Sequence, residues 1–87
     1  MALEDVVKAI SGKRVLAGAK QLRKALNAGS VNRAFLATDA DPAITEPIMR
    51  LCQLHTVEVA WVKSMTDLGK ACGIDVGAVA AATVDLP

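Results

Sequence analysis

Apolar residues recur at helical spacing near the start of the chain. Leu3, Val6, Val7 and Ile10 are spaced i, i+3, i+4 and i+7, so they share one face of a helix that we predict over residues 2–10. Three more segments with helical spacing follow along the chain. Each of the four helical segments is followed by a short, mostly apolar run. Such runs are typical of buried strands. The pattern therefore predicts four helices that alternate with four strands.

Glycines mark the ends of several predicted elements. Gly12, Gly29 and Gly73 follow helical segments, where a residue in the left-handed conformation commonly ends a helix. The later helices are predicted over residues 18–28, 42–55 and 65–72, and the strands over residues 13–17, 31–38, 57–62 and 78–84. A helix–strand order repeated four times implies one sheet with helices on both faces. We expect a single domain over residues 1–87, with an α/β fold, a three-layer α/β/α sandwich and one mixed four-stranded sheet.

Three positions carry specific expectations about the helices. Asp41 and Pro42 are predicted to be the N-cap and the first residue of the third helix. Pro47 lies further inside, where proline removes a backbone hydrogen bond, so we expect the regular helix to begin nearer Thr45 or to kink at Pro47. Gly69 inside the fourth helix indicates a close packing contact.

The net charge of +1 conceals an uneven distribution. Residues 1–33 contain seven of the ten basic residues and two acids, a balance of +5. Residues 34–87 contain three basic residues and seven acids, a balance of −4. This asymmetry indicates a local anionic partner, because a protein that binds nucleic acid non-specifically is expected to be basic over much of its surface.

The second predicted helix carries much of the positive charge. Its two faces are apolar (Ala19, Leu22, Ala25, Leu26) and basic or polar (Lys20, Arg23, Lys24, Asn27). Lys20 and Gln21 lie in the first turn, where unpaired N–H groups and the helix dipole favour an anion such as phosphate. A surface helix whose basic side chains are merely solvated is the alternative interpretation.

The chemically reactive residues give little support to an enzyme. Cys52, Cys72 and the single histidine, His55, fall short of a zinc site, and we expect both cysteines to be reduced and buried. The dipole at a helix C-terminus raises the pKa of a thiol, which disfavours a thiol-dependent enzyme built on Cys72. No glycine motif for dinucleotides or phosphates is present. We expect no catalytic residue, no metal and no cofactor.

The chain shows no pattern for membrane insertion or secretion. Its first ten residues include Glu4, Asp5 and Lys8 and lack an apolar signal region. The longest charge-free apolar run, Val76–Val84, is too short to span a bilayer. We therefore expect a cytoplasmic protein without a membrane partner.

Aromatic residues are limited to Phe35 and Trp61. Both lie in predicted strands, so core packing is expected for each. Many RNA-binding sheets stack bases on exposed aromatic side chains, and this chain cannot build such a platform. If it binds RNA, it must use helix-terminal donors, basic side chains and a small apolar loop to recognise a preformed RNA shape.

Three segments match one known family in order and spacing, over nearly the whole chain. Gly18–Lys24 is similar to the pattern G-x-[NK]-[EQ]-[VT]-x-[KR], Thr38–Pro42 to an A-E-D-x-x-P turn, and Ser64–Val76 to S-x-x-x-L-G-x-A-x-G. These segments resemble the signatures of the ribosomal protein L7Ae/L30e family. Lys20-Gln21, where archaeal and eukaryotic members usually have Asn-Glu, resembles its small bacterial branch.

The resemblance implies an α/β/α fold and recognition of the kink-turn, a sharply bent RNA with sheared G·A pairs and a short bulge. The RNA-binding residues that it implies are Gly18, Ala19, Lys20, Gln21, Arg23, Lys24, Asp39, Ile74, Asp75, Val76 and Ala78. Lys20 and Gln21 would reach the edges of the G·A pairs, where Gly18 permits a close backbone approach. Arg23 and Lys24 would meet phosphates near the bend. The last four residues would form a loop that covers a flipped-out base.

One position departs from the family pattern. Thr38 stands where many members have Glu, which weakens any polar orienting role there; Asp39 either keeps part of that role or only begins the turn. We predict a non-enzymatic bacterial protein, monomeric when free, that forms a ribonucleoprotein with a kink-turn in ribosomal RNA, a riboswitch or another structured RNA. The alternative is a protein-interaction module that keeps the fold without binding RNA.

Overall fold

The computed structural model describes residues 1–85 and shows four helices alternating with four strands. The elements are α1 (Leu3–Ile10), β1 (Arg14–Ala17), α2 (Ala19–Asn27), β2 (Val31–Ala37), α3 (Pro42–Leu54), β3 (Glu58–Val62), α4 (Met65–Ala71) and β4 (Ala80–Val84). This order confirms the alternation predicted from the apolar pattern. Within residues 1–85, no helix has the length and apolar character needed to cross a membrane.

The four strands form one mixed sheet in the order β1-β4-β2-β3. β4 runs antiparallel to both of its neighbours, whereas β2 and β3 are parallel. The last residues of β1, β2 and β3 and the first residues of β4 therefore lie at the same end of the sheet. We call this end the upper edge; the segments that lead into α2, α3, α4 and β4 all lie along it.

Helices cover both faces of the sheet and enclose two hydrophobic cores. Contacts join α1 to α4 on one face and α2 to α3 on the other. The central strand β4 is buried along its length, with Ala81 in the α1/α4 core and Ala80, Ala82 and Val84 in the α2/α3 core. Because strand side chains alternate between faces, a strand covered on both sides reads as a continuous apolar run. The three-layer α/β/α prediction is confirmed.

The start of α3 confirms Asp41 as the N-cap and Pro42 as the first helical residue, and it contradicts the later start near Thr45 that Pro47 suggested. The helix begins at Pro42 rather than nearer Thr45, and it continues through Pro47. The Asp41 carboxylate accepts a hydrogen bond from the N–H of Ala43 at 2.9 Å, which stabilises the first turn. Proline leaves one carbonyl of that turn without a helical donor, and both Pro47 and Ala43 are exposed, so water can satisfy it.

Trp61 is the second departure from the sequence prediction. Phe35 is fully buried as expected, whereas Trp61 remains 37% exposed. Its strand, β3, lies at the edge of the sheet. A side chain on an edge strand lacks a neighbouring strand on one side, so a large apolar residue there is covered only in part. The core position predicted for Trp61 is therefore wrong.

Gly69 makes the close contact that its place in a helix predicted. A Cβ atom added at Gly69 would lie 2.1 Å from the carbonyl oxygen of Val76, in the loop between α4 and β4. Gly77 also lies close to the same helix, since a Cβ there would be 3.1 Å from Cβ of Met65. The α4–β4 loop (residues 72–79) therefore rests directly on the α4 backbone.

Replacement of Gly69 by alanine tests this contact through the sign of the stability change. In an unconstrained helix, Gly→Ala stabilises by roughly 1 kcal/mol. Here we expect the free energy of unfolding to fall by about 1–3 kcal/mol, because the added methyl group overpacks against the loop backbone. Urea denaturation measures the change, and Thr66→Ala on the exposed side of α4 is the control. A more stable Gly69→Ala protein would contradict the packing described here.

Candidate nucleic-acid interface

A cleft of about 310 Å³ opens at the upper edge of the sheet. It lies between the start of α2, the first turn of α3 and the α4–β4 loop, and its lining residues are Ala17, Gly18, Ala19, Ile44, Ile74, Val76, Gly77, Ala78 and Val79. All of these residues are apolar or glycine. We call this feature the upper-edge cleft. It brings together two segments that the sequence analysis had linked only through a family resemblance.

Gly18 begins one wall of the cleft with a conformation that favours glycine. Its φ is 111°, its N–H donates to the carbonyl of Ala80 at 2.8 Å, and its own carbonyl accepts from the N–H of Leu22. No side chain within residues 1–85 caps α2. The first N–H groups of the helix therefore point outward beside the cleft, and with the helix dipole they favour an anion or a carbonyl acceptor.

The side chains of α2 add positive charge beside these N–H groups. Lys20, Arg23 and Lys24 are exposed, and α2 contains no acidic residue. Within the described residues, none of the three forms an ion pair. Gln21 folds back over Gly18, because a Cβ atom on the glycine would lie 2.6 Å from the Gln21 Oε1 atom. The start of α2 thus presents free donors, and α2 itself has no carboxylate that competes for them.

The α4–β4 loop forms the opposite, apolar wall. Val76 is 71% exposed, Ile74 is also exposed, and both line the cleft. Asp75 lies between them and is solvent-exposed. Ala78 is only 4% exposed, and its N–H donates to the carbonyl of Met65 at 3.0 Å. Ala78 therefore forms part of the floor, whereas the side chains of Ile74 and Val76 remain available for contact.

The turn before α3 is tied to the start of α4. The Thr38 hydroxyl donates to the carbonyl of Lys63 at 2.7 Å, and the Asp39 carboxylate accepts from the N–H of Met65 at 2.8 Å. Ser64 completes the N-terminal cap of α4 by accepting from the N–H of Asp67. Asp39 does not line the upper-edge cleft. Its carboxylate holds two loops of the upper edge together.

Ile44 is a cleft residue that the sequence analysis did not identify. It shares the apolar spacing of Ile48 and Cys52, both of which are fully buried, yet Ile44 is 41% exposed. The difference arises because Ile44 lies in the first turn of α3, beside the upper edge rather than over the sheet. In the sequence, only its position three residues after the N-cap Asp41 indicated that Ile44 lies at the end of a helix.

Not every predicted residue lies around the cleft. Gln21 and Lys24 line a second groove of about 310 Å³, on the flank of α2 that faces β1. Its lining residues are Leu16, Gln21, Lys24, Ala25, Ala28 and Ser30, and we call it the α2–β1 groove. Gln21 connects the two surfaces, since it also overlies Gly18.

The two thiols offer no reactive group at this interface. Cys52 is buried, but Cys72 is only half-buried, so the expectation that both are buried is wrong for Cys72. Burial raises the pKa of both the Cys52 and Cys72 thiols, which keeps them protonated near neutral pH. In the part of the chain that the structure describes, no three His, Cys, Asp or Glu side chains cluster as metal ligands.

The fold and the cleft together define a small α/β/α protein with an uncapped basic helix facing an apolar loop across one edge of a mixed sheet. The chain belongs to the ribosomal protein L7Ae/L30e/S12e/Gadd45 family, whose model matches residues 1–86. The resemblance of the three motif segments and the predicted fold class are thereby confirmed.

Relatives and solved structures agree with this assignment. An "RNA-binding protein" of Bacillus pumilus is 45% identical over 75 residues, which cover 86% of this chain and 92% of the relative. The large ribosomal subunit protein eL8 of Halobacterium salinarum is 35% identical, covering 95% and 70% of the two chains. The structure of a Giardia lamblia 15.5kD RNA binding protein superimposes with a TM-score of 0.83 at 27% identity, over 97% of this chain and 71% of that one.

Substitution of Asp39 distinguishes a structural role from a contact role. We expect Asp39→Ala to lower the free energy of unfolding by about 0.5–2 kcal/mol, because the N–H of Met65 loses its acceptor. Asp39→Asn retains an acceptor oxygen and should preserve most of the stability. Thermal and urea denaturation measure both variants, and equal stability of Asp39→Ala and the parent protein would show that this cap contributes nothing.

Proposed function

We propose that this protein is a non-enzymatic RNA-binding protein that recognises and stabilises kink-turns in structured RNA. The observation that carries the proposal is the upper-edge cleft, where the free donors of α2 face the apolar loop around Ile74 and Val76. A kink-turn presents two matching features side by side, namely sheared G·A pairs with accessible edges and a short bulge with an unstacked base. The names of the relatives, which include RNA-binding and ribosomal proteins, support the same class of partner.

The start of α2 is suited to the edges of the G·A pairs. Lys20 supplies ammonium donors, and the amide of Gln21 supplies both donors and an acceptor. Both side chains are exposed in the first turn of α2. Gly18 has no side chain that would keep the RNA away from the helix terminus. These groups can contact base edges directly, which is the part of recognition that carries specificity.

The apolar wall is suited to the unstacked base of the bulge. Ile74 and Val76 expose side chains on one side of the cleft, and Ile44 exposes its side chain from the start of α3. A base extruded from its stack exposes two apolar faces, and contact with apolar side chains removes them from water. The cleft therefore replaces the aromatic platform that the composition excludes.

The charges around the cleft are suited to a bent phosphate backbone. Arg23 and Lys24 extend from α2, while Asp39 and Asp41 use their carboxylates to accept hydrogen bonds from the starts of α4 and α3. Positive charge is concentrated in residues 1–33, which carry a balance of +5, and residues 34–87 carry a balance of −4. Binding of this kind depends on RNA shape more than on general attraction to polyanions.

A titration against two RNAs tests this function directly. We expect tight binding to a fluorescent kink-turn duplex and much weaker binding to a straight duplex of equal length, at both low and high salt. The salt slope should be shallow, because only a few phosphates are contacted. Equal and steeply salt-dependent binding to both RNAs would reduce the basic helix to a general phosphate patch, and binding to neither would favour the protein-interaction module.

A double substitution tests the assignment of the base-reading residues. Lys20→Ala with Gln21→Ala should weaken binding to the kink-turn by at least about tenfold, since contacts to base edges contribute roughly 1–3 kcal/mol each. The thermal melt should change little, because both side chains are exposed and alanine favours a helix.

The matched control removes the same two residue types elsewhere. Lys8→Ala with Gln53→Ala changes exposed residues on α1 and near the end of α3, away from the upper edge. This control should bind the kink-turn like the parent protein. The site assignment fails if the two double variants lose affinity to the same extent, or if neither loses any.

A further inference from the structure

The α2–β1 groove shares Gln21 and Lys24 with the contacts proposed above, but the rest of its lining has no assigned role. Its floor is apolar, formed by Leu16, Ala25 and Ala28, and Lys24 and Gln21 lie at its rim. Gln21 also overlies Gly18, so the groove continues directly into the upper-edge cleft. From the cleft, the groove runs along α2 towards the opposite end of the sheet.

Strand pairing adds a further positive charge to this groove. Arg14 pairs with Val84 across the antiparallel β1–β4 ladder, so their side chains lie on the same face of the sheet. Val84 belongs to the α2/α3 core, and Leu16, two residues after Arg14, lines the groove. Arg14 therefore lies on the groove side of β1. It is exposed, and within residues 1–85 it has no ion-pair partner.

Lys24 and Arg14 mark out a basic track along the groove. The groove follows α2, whose 9 residues extend about 13 Å from the cleft to the lower end of the groove. Residues 6–38 contain no acidic residue, so no carboxylate of this segment interrupts the track. Arg14 pairs with Val84, and the next residue along the chain, Asp85, is acidic. The N–H of Asp85 donates to the carbonyl of Ser30.

We propose that the α2–β1 groove binds the sugar–phosphate backbone of one of the two RNA helices that flank the kink. This inference rests on the proposed function and extends it from the kink to an adjoining helical arm. Lys24 and Arg14 contact successive phosphates along the arm, and the apolar floor faces the sugars between them. A sugar–phosphate backbone combines charged and apolar surface in the same way as the groove. Recognition by the groove is independent of sequence, because phosphates carry no sequence information.

The test combines an Arg14→Gln substitution with shortening of the RNA arms. Three kink-turn RNAs are compared: one with two long arms, and two in which one arm or the other is cut back to the pairs beside the kink. We expect Arg14→Gln to weaken binding to the long-armed RNA several-fold and to lower its salt slope by about 0.7–0.9, the value for one lost phosphate contact. When the arm that Arg14 contacts is shortened, Arg14→Gln and the parent protein should bind the RNA with equal affinity.

Two further variants separate this contact from a general effect of charge. Lys8→Gln removes the same charge from α1, on the other face of the sheet, and should leave all three affinities unchanged. Asp85→Asn removes the neighbouring negative charge and should strengthen binding to the same long arm. Arg14 is exposed, so its substitution should leave the thermal melt unchanged.

The outcomes distinguish this inference from the function on which it rests. If the parent protein binds none of the kink-turns, both fail. If it binds them but Arg14→Gln has no effect, or has the same effect on all three RNAs, the groove contact is wrong and kink recognition stands. A loss in Lys8→Gln equal to that in Arg14→Gln would likewise overturn the groove contact.

Discussion

The antiparallel placement of β4 between β1 and β2 determines where every proposed RNA contact lies. Because β4 runs opposite to both neighbours, its first residues meet their last residues. The N–H of Gly18 donates to the carbonyl of Ala80 at 2.8 Å, and the N–H of Ala37 donates to the carbonyl of Val79 at 3.0 Å. These two bonds hold the α4–β4 loop beside the start of α2, although the two segments are far apart in sequence. The cleft is a direct consequence of sheet topology.

Met65 fixes the same loop from the other side. Its N–H is bound by the Asp39 carboxylate, and its carbonyl accepts from the N–H of Ala78. The loop also rests on Gly69, whose lack of a side chain leaves room for the carbonyl of Val76. Three segments of the upper edge are thus joined through hydrogen bonds to the backbone of Met65. A surface held in this way does not have to be ordered when a ligand binds, which reduces the entropy lost on association.

The sequence predicted what depends on local pattern and missed what depends on the arrangement of elements. Helical spacing and helix-ending glycines are local, and they predicted the order of all eight elements. Pro47 did not delay the start of α3 to Thr45, because one lost hydrogen bond at an exposed position does not end a helix that Asp41 caps. The exposure of Trp61 depends on strand order, and the place of Ile44 in the cleft depends on how far α3 extends past the sheet. The groove beside Arg14 required the β1–β4 register.

The two surfaces divide recognition into contributions with different physical behaviour. Contacts of the cleft with base edges and an unstacked base release few counterions, so salt changes them little. Contacts of the α2–β1 groove with phosphates release counterions and weaken as salt rises. Under the two proposals, the groove therefore adds affinity that depends on ionic strength, whereas the cleft supplies the preference for bent RNA at any ionic strength. The proposed division explains how a chain with a net charge of only +1 would hold one RNA shape without attaching to every polyanion.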